Sequence, residues 1–154
     1  MGSYNFLLVD DEKRFIETFA QRLKLRGYKA ACAFSGDEAL DLLEKDDSFD
    51  IVVLDVKMPG LDGIETLEKI KERHPLLEVV MLTGHATIDS AIEAVKRGAF
   101  DYLTKPCDLN ALISKADKAV ARKKEREAKI RNIRMKPYIS EREREELIFK
   151  ILND

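Results

Sequence analysis

The sequence predicts an α/β chain: a five-stranded parallel sheet, doubly wound with helices on both faces, followed by a helical extension at the C-terminus. Three observations carry this. Five strand-length runs (Phe6–Val9, Ala30–Phe34, Ile51–Leu54, Val79–Leu82 and the weaker Phe100–Leu103) are mostly apolar at successive rather than alternate positions, the pattern of strands buried on both faces. The segments between them carry apolar residues at helical spacing. Strand and helix alternate with short connections, which implies right-handed crossovers and a sheet sandwiched between two helical layers.

The first strand ends in Asp10-Asp11, and the helix after it repeats Phe15, Phe19 and Leu23 every four residues until Gly27 closes it. Ser35-x-x-Glu38 reads as a capping box opening a second helix that carries Leu40 and Leu43. Ile51-Val52-Val53-Leu54 is the most apolar strand, and the helix beyond it presents Ile64, Leu67 and Ile70 and stops before Pro75. Ile88, Ile92 and Val95 stripe a fourth helix closed by Gly98, and Leu109, Leu112 and Ile113 a fifth. A basic run from Arg122 to Lys136, eight Lys/Arg against two Glu, extends the fifth helix as a solvated segment until Pro137 breaks it. Ser140-x-x-Glu143 is then a second capping box, opening a short helix whose Leu147, Ile148, Ile151 and Leu152 form an apolar face. That face has to bury, on the chain's own surface or on a second copy.

At 154 residues, 45% apolar and 36% charged, the chain is globular and has room for one core. Charge divides it. Residues 1–121 hold 16 Lys/Arg against 22 Asp/Glu, a net of −6, and residues 122–154 hold 11 against 7, a net of +4, which places a boundary near 121. We therefore expect a domain over 4–121 and an extension over 122–154. The overall charge of −2 does not suit a surface built to hold nucleic acid. A tail of about 30 residues broken by a proline lacks the multi-helix core of a helix-turn-helix, which argues against direct DNA binding. Cys32 and Cys107 lie far apart, with no disulfide framework and no zinc spacing, as in a reducing compartment. No apolar stretch nears the roughly 18 residues of a membrane span, so no membrane contact is expected and a cytoplasmic location is.

The strand ends collect the informative polar residues: Asp10 and Asp11 after the first, Asp55 after the third, Thr83 at the fourth, Lys105 after the fifth. In an open parallel sheet the ligand crevice lies outside the carboxyl ends of the strands, so these residues converge on one edge. Three carboxylates together repel, and an all-oxygen acidic set suits a hard cation such as Mg²⁺. An ammonium and a hydroxyl facing them are the groups that hold phosphoryl oxygens, and a carboxylate held rigidly at the end of the central strand can itself be the nucleophile. Any one Asp after a strand is ordinarily a turn former or helix cap; the set together, with Asp55 at its centre, points to phosphoryl chemistry.

Asp10-Asp11-Glu12, Asp55 followed by Met58-Pro59-Gly60 and Asp62-Gly63, Thr83-Gly84 and Lys105-Pro106 together resemble the receiver domain of bacterial two-component response regulators, over roughly residues 4–121. The stretches around Thr83 and Lys105 are closest in flavour to receivers of nitrogen-regulation-type transcription activators. The resemblance implies a flavodoxin-like sheet of order 2-1-3-4-5 and a signalling domain rather than a conventional enzyme. It makes Asp55 the acceptor of a phosphoryl group from a histidine kinase. Asp11, Asp55 and the backbone carbonyl of Lys57 would ligate Mg²⁺, and Asp10 would support the metal site through water. Thr83 becomes the switch hydroxyl, Lys105 the ion-pair partner of the phosphoryl group, on a cis peptide to Pro106, and Tyr102 the aromatic that swings inward. The fourth helix, fifth strand and fifth helix, roughly Ile88 to Ala121, would be the surface read by a protein target or by a second copy.

Two rivals are open. A haloacid-dehalogenase-like phosphatase also uses an Asp after a parallel strand, but it needs an acid two residues later, where this chain has Lys57. A receiver-shaped scaffold that no longer uses phosphate is the other. Lys57 and His85 occupy positions that, in the resembling family, flank the phosphoryl group. His74 reads as a surface residue at a helix end, Phe100 as core and Cys107 as an inert thiol.

Overall fold

The computed structural model describes residues 4–58, 60–84 and 88–153, without the side chain of Ile88. The strands are β1 (Asn5–Val9), β2 (Lys29–Ala33), β3 (Ile51–Leu54), β4 (Glu78–Thr83) and β5 (Asp101–Thr104). The helices are α1 (Lys13–Leu25), α2 (Gly36–Lys45), α3 (Gly63–Arg73), α4 (Ile88–Lys96), α5 (Leu109–Arg134) and α6 (Glu141–Leu152). The strands pair in parallel in the order β2-β1-β3-β4-β5. This is the doubly wound arrangement expected from the sequence.

Each central strand feeds two cores. From β1, Phe6 and Leu8 join Ile16, Leu23 and Leu112 on the α1/α5 side, while Leu7 and Val9 join Leu40, Leu67 and Ile70 on the α2/α3 side. Burial on both faces is why β1, β3 and β4 read as unbroken apolar runs. The edge strands β2 and β5 are mostly half-buried, which explains the weaker pattern around residue 100. The ladder starts β2 one residue earlier than expected, moves β5 one residue later, and lengthens β4 at both ends. Strand limits follow backbone hydrogen bonds, and apolarity misses polar terminal residues such as Lys29 and Glu78.

Gly27 and Gly98 take φ of +90° and +110° and end α1 and α4, as expected of glycine at a helix C-terminus. Ser35 and Ser140 cap α2 and α6 by accepting from the amides of Glu38 and Glu143. The Glu38 carboxylate reaches the amide of Phe34 (3.4 Å), and the reciprocal box forms at α3 instead, between Asp62 and Glu65. The side chain of Glu38 overshoots its cap residue by one position.

The basic run does continue α5, which is 26 residues long and passes through residue 121 without a break. It is less solvated than its composition suggests. Arg126, Ile130 and Ile133 are buried, and α6 folds back beyond Pro137 and packs along α5. Leu147, Ile148, Ile151 and Leu152 are half-buried in that contact, so the apolar face of α6 does find the chain's own surface. Among the described residues no helix is long and apolar enough to cross a membrane.

Candidate functional site

The backbone hydrogen bonds of the sheet bring the carboxyl ends of the strands together. Asp10 N–H donates to Ala33 O (3.1 Å), Asp55 N–H to Val9 O (3.0 Å) and Lys105 N–H to Thr83 O (2.9 Å), so the ladder fixes residues that lie up to 95 positions apart. Carboxylate oxygens of Asp10, Asp11 and Asp55 all lie within 4.8 Å of one another. Asp10, Asp55 and Thr83 are buried and Asp11 is exposed, so the cluster has a closed floor and an open mouth.

Lys105, preceding Pro106 through a cis peptide, carries its ammonium into this cluster. Its Nζ lies 2.6 Å from Asp10 Oδ2, 2.9 Å from Glu12 Oε1 and 3.9 Å from Asp55 Oδ2. The ring of Phe15 lies beneath it, 4.5 Å from Nζ to centroid. Burial by itself would pull the Lys105 amine down, but the hydrogen bonds to Asp10 and Glu12 outweigh it and its pKa stands above the usual lysine value. Burial pushes the pKa of the Asp10 carboxyl above its usual value, against the opposing hydrogen bonds from Lys105 and from the Glu12 amide.

Among the described residues, one cation, Lys105, faces the three clustered carboxylates, which leaves the site short of positive charge. Asp55 Oδ1 is buried and has no hydrogen-bond partner, a costly condition for a carboxylate oxygen. A hard divalent ion bound through oxygens, with Asp10, Asp11 and Asp55 as donors, would relieve both. The residues present fit such an ion.

Lys57 lies in the loop after Asp55 with its side chain exposed, and that loop is tied back by Gly63 N–H donating to Val56 O (2.8 Å). Tyr102 is not in the acidic cluster; it is half-buried on the β5 side facing α4, with its hydroxyl 3.4 Å from Ser90 Oγ. His85 and Pro59 lie outside the described residues. Phe100 is partly buried against the α1/α5 core, under the guanidinium of Arg122. His74 caps the end of α3, half-buried and 3.8 Å from Glu44. Burial pushes the Cys107 thiol up, in keeping with an unreactive cysteine.

Sequence reasoning missed Glu12 and Phe15 as the other walls around Lys105. Glu12 stood in the Asp10-Asp11-Glu12 motif, but only the fold shows which basic group it meets. It also missed Glu78, fully buried at the start of β4, which faces Arg122 of α5 (2.7 Å) and Lys71 of α3 (3.5 Å). An acid between Leu77 and Val79 signals such a partnered charge, because an unpaired one would not survive there. A cleft of about 400 Å³ lies at the other end of the sheet, between α6 and the loops leading into β3 and β4, lined by Phe49, Leu77, Ile130, Ile148 and Leu152.

Comparison with known proteins places this arrangement in a family. The family model described as the response regulator receiver domain matches residues 6–117. Over 120 residues the chain is 36% identical to the DNA-binding transcriptional regulator NtrC of Klebsiella pneumoniae, covering 78% of this chain and 25% of that protein. The chain thus spans about a quarter of the length of the curated relatives it matches. Among solved structures, a receiver domain protein from Clostridium thermocellum superposes with a TM-score of 0.75 at 36% identity, over 79% of this chain and 98% of that one. A response regulator from Burkholderia pseudomallei, solved with a phosphorylated aspartic acid and a calcium ion, gives 0.71 at 31% identity, over 82% of this chain and 74% of that one. The strand order, the acidic cluster with its lysine and the family match agree, and the chain belongs to the response regulator receiver domain family.

Proposed function

We propose that Asp55 accepts a phosphoryl group from a histidine kinase, with Mg²⁺ held by Asp11, Asp55 and the carbonyl of Lys57 and with Asp10 supporting it, and that residues 4–121 form the unit that does so. The observation that carries this reading is the placement of Asp55: buried at the end of the central strand, with one carboxylate oxygen unpartnered and Lys105 Nζ 3.9 Å from the other. A carboxylate oxygen attacks phosphorus in line, the bond to the donor breaks, and an acyl phosphate remains on Asp55. Bound Mg²⁺ would supply neutralisation of the phosphoryl oxygens. Lys105 meets the rest of the charge, and the buried hydroxyl of Thr83, at the end of the neighbouring strand, is the nearby group suited to donate to the new dianion.

Drawing Thr83 toward the phosphoryl group opens space beside β5 and α4, where Tyr102 already stands half-buried. That motion alters the α4-β5-α5 surface, on which Ile92 and Val95 are half-exposed apolar side chains that a protein target or a second copy could cover. The output of this chain is thus a protein contact or self-association, set by a shift between two populated states. Residues 122–154 carry the rest of α5 and α6, tied to that unit by Arg122 on Glu78 (2.7 Å) and Lys123 on Asp50 (3.6 Å).

Intact mass after incubation with acetyl phosphate and Mg²⁺ tests the reading. A phosphate-sized gain is expected in the wild type and absent in Asp55→Asn, and EDTA is expected to prevent it. A gain of equal size in Asp55→Asn removes Asp55 as the acceptor, and no gain in either favours the phosphate-independent scaffold.

A further inference from the structure

The ammonium of Lys105 is held on three sides, and the three are not alike. Asp10 is buried and belongs to the acidic cluster, and Phe15 supplies a ring face. Glu12 is different: its side chain is 62% exposed, yet its Oε1 accepts from Lys105 Nζ at 2.9 Å. Asp55 Oδ2, at 3.9 Å, is beyond hydrogen-bond reach of the same ammonium.

Among the described residues the Glu12 carboxylate meets no other partner. It stands at the N-cap of α1 but makes no side-chain capping bond. Its structural contributions come from its backbone, the amide donating to Asp10 Oδ1 (2.9 Å) and the carbonyl accepting from Ile16 N–H (3.1 Å). The carboxylate therefore competes with any anion arriving on Asp55 for the ammonium of Lys105. It is exposed and on a flexible stem, so it is the contact most readily given up.

We propose that Glu12 is a latch on Lys105, a positioning residue that holds the ammonium away from Asp55 in the unphosphorylated protein and must release it when a phosphoryl group arrives. The proposal builds on the reading of Asp55 as acceptor and adds a term to it: the affinity of the site for a phosphoryl-like anion is set by what Lys105 leaves behind as well as by what it meets. Because Glu12 contributes to the fold through its backbone, its side chain can be changed without loss of structure.

Two measurements test this on Glu12→Gln and Glu12→Asp. The first needs no metal: the rate of reductive methylation of Lys105, read by peptide mass spectrometry in EDTA, is expected to rise about two- to fivefold in Glu12→Gln, the range an exposed ion pair is worth. The second is the affinity for beryllofluoride in Mg²⁺, a stand-in for the phosphoryl group, expected to tighten by a similar factor. Glu12→Asp separates a latch from a general field effect, since it keeps the charge but shortens the reach. A latch predicts that it behaves as Glu12→Gln; behaviour like the wild type would overturn the proposal, as would unchanged methylation in Glu12→Gln. Failure of the wild type to bind beryllofluoride would instead count against Asp55 as acceptor, and the methylation rates would still decide whether Glu12 holds Lys105.

Discussion

Gly63, the first residue of α3, lies directly against the backbone of Asp55: a Cβ built on it would overlap the Asp55 carbonyl oxygen and come within 2.7 Å of Val56 Cα. The approach is possible because glycine has no Cβ, and it lets the Gly63 amide tie down the loop that follows the acceptor. Gly63→Ala forces this backbone apart. We expect a loss of about 3 kcal/mol, at the upper end of overpacking costs, in urea unfolding, together with slower phosphoryl uptake from acetyl phosphate. Wild-type stability in this variant would show that the loop yields without resistance.

Glu78 joins three elements, with Lys71 of α3 and Arg122 of α5 facing its buried carboxylate. Burial pulls the Lys71 amine below its usual pKa and Glu78 opposes that shift. Glu78→Ala leaves Lys71 without its counter-charge, holding only the carbonyl oxygens of Pro75 and Leu77, to which its Nζ donates at 2.9 Å each. Breaking a fully buried pair costs about 3–5 kcal/mol; partial exposure of Arg122 and the carbonyl bonds of Lys71 lower this to about 2 kcal/mol, measurable as a shift in the urea midpoint.

Tyr4 fastens the chain ahead of β1 to α5, its hydroxyl donating to Asp117 Oδ1 at 2.6 Å. Burial, then the bond to Asp117, pushes its pKa far above the tyrosine range. A raised folded-state pKa gives stability that is complete below the unfolded value, about 10, and is lost as pH rises beyond it. Tyr4→Phe is expected to cost about 1 kcal/mol at pH 8 and to flatten the decline above pH 10. Parallel declines in the two proteins would show that Tyr4 does not set the alkaline limit.

Removal of residues 137–154 strips α6 from α5 and exposes Ile130 and Ile133, each 8% exposed in the intact chain. Four half-buried side chains of α6 lose their burial as well. The expected cost is about 3 kcal/mol from the apolar area involved, equivalent to a fall in Tm of about 6–12 °C for a chain of this size. Unchanged Tm would mean that α6 contributes nothing to the receiver's stability.

By itself the sequence determined the alternation of elements and their approximate limits. Burial of β1, β3 and β4 on both faces requires continuous apolar residues, and the helices between them need one apolar stripe, so both signals are local. It also determined which residues stand at strand ends, and a parallel sheet sends all such ends to one edge. For that reason the sequence alone places Asp10, Asp11, Asp55 and Lys105 together.

What the tertiary structure alone decided are the relations between residues on different elements. Glu12 meets Lys105 across 93 positions, and Glu78 meets Arg122 across a strand and two helices. Neither pairing has a local pattern, because charged side chains follow no periodicity and their partners are selected by packing. The same holds for the basic run: its composition predicted a solvated helix, but α6 folded back along α5, and Ile130, Ile133 and Arg126 are buried. Local physical chemistry set the elements of this protein; the geometry of packing set which charges face one another.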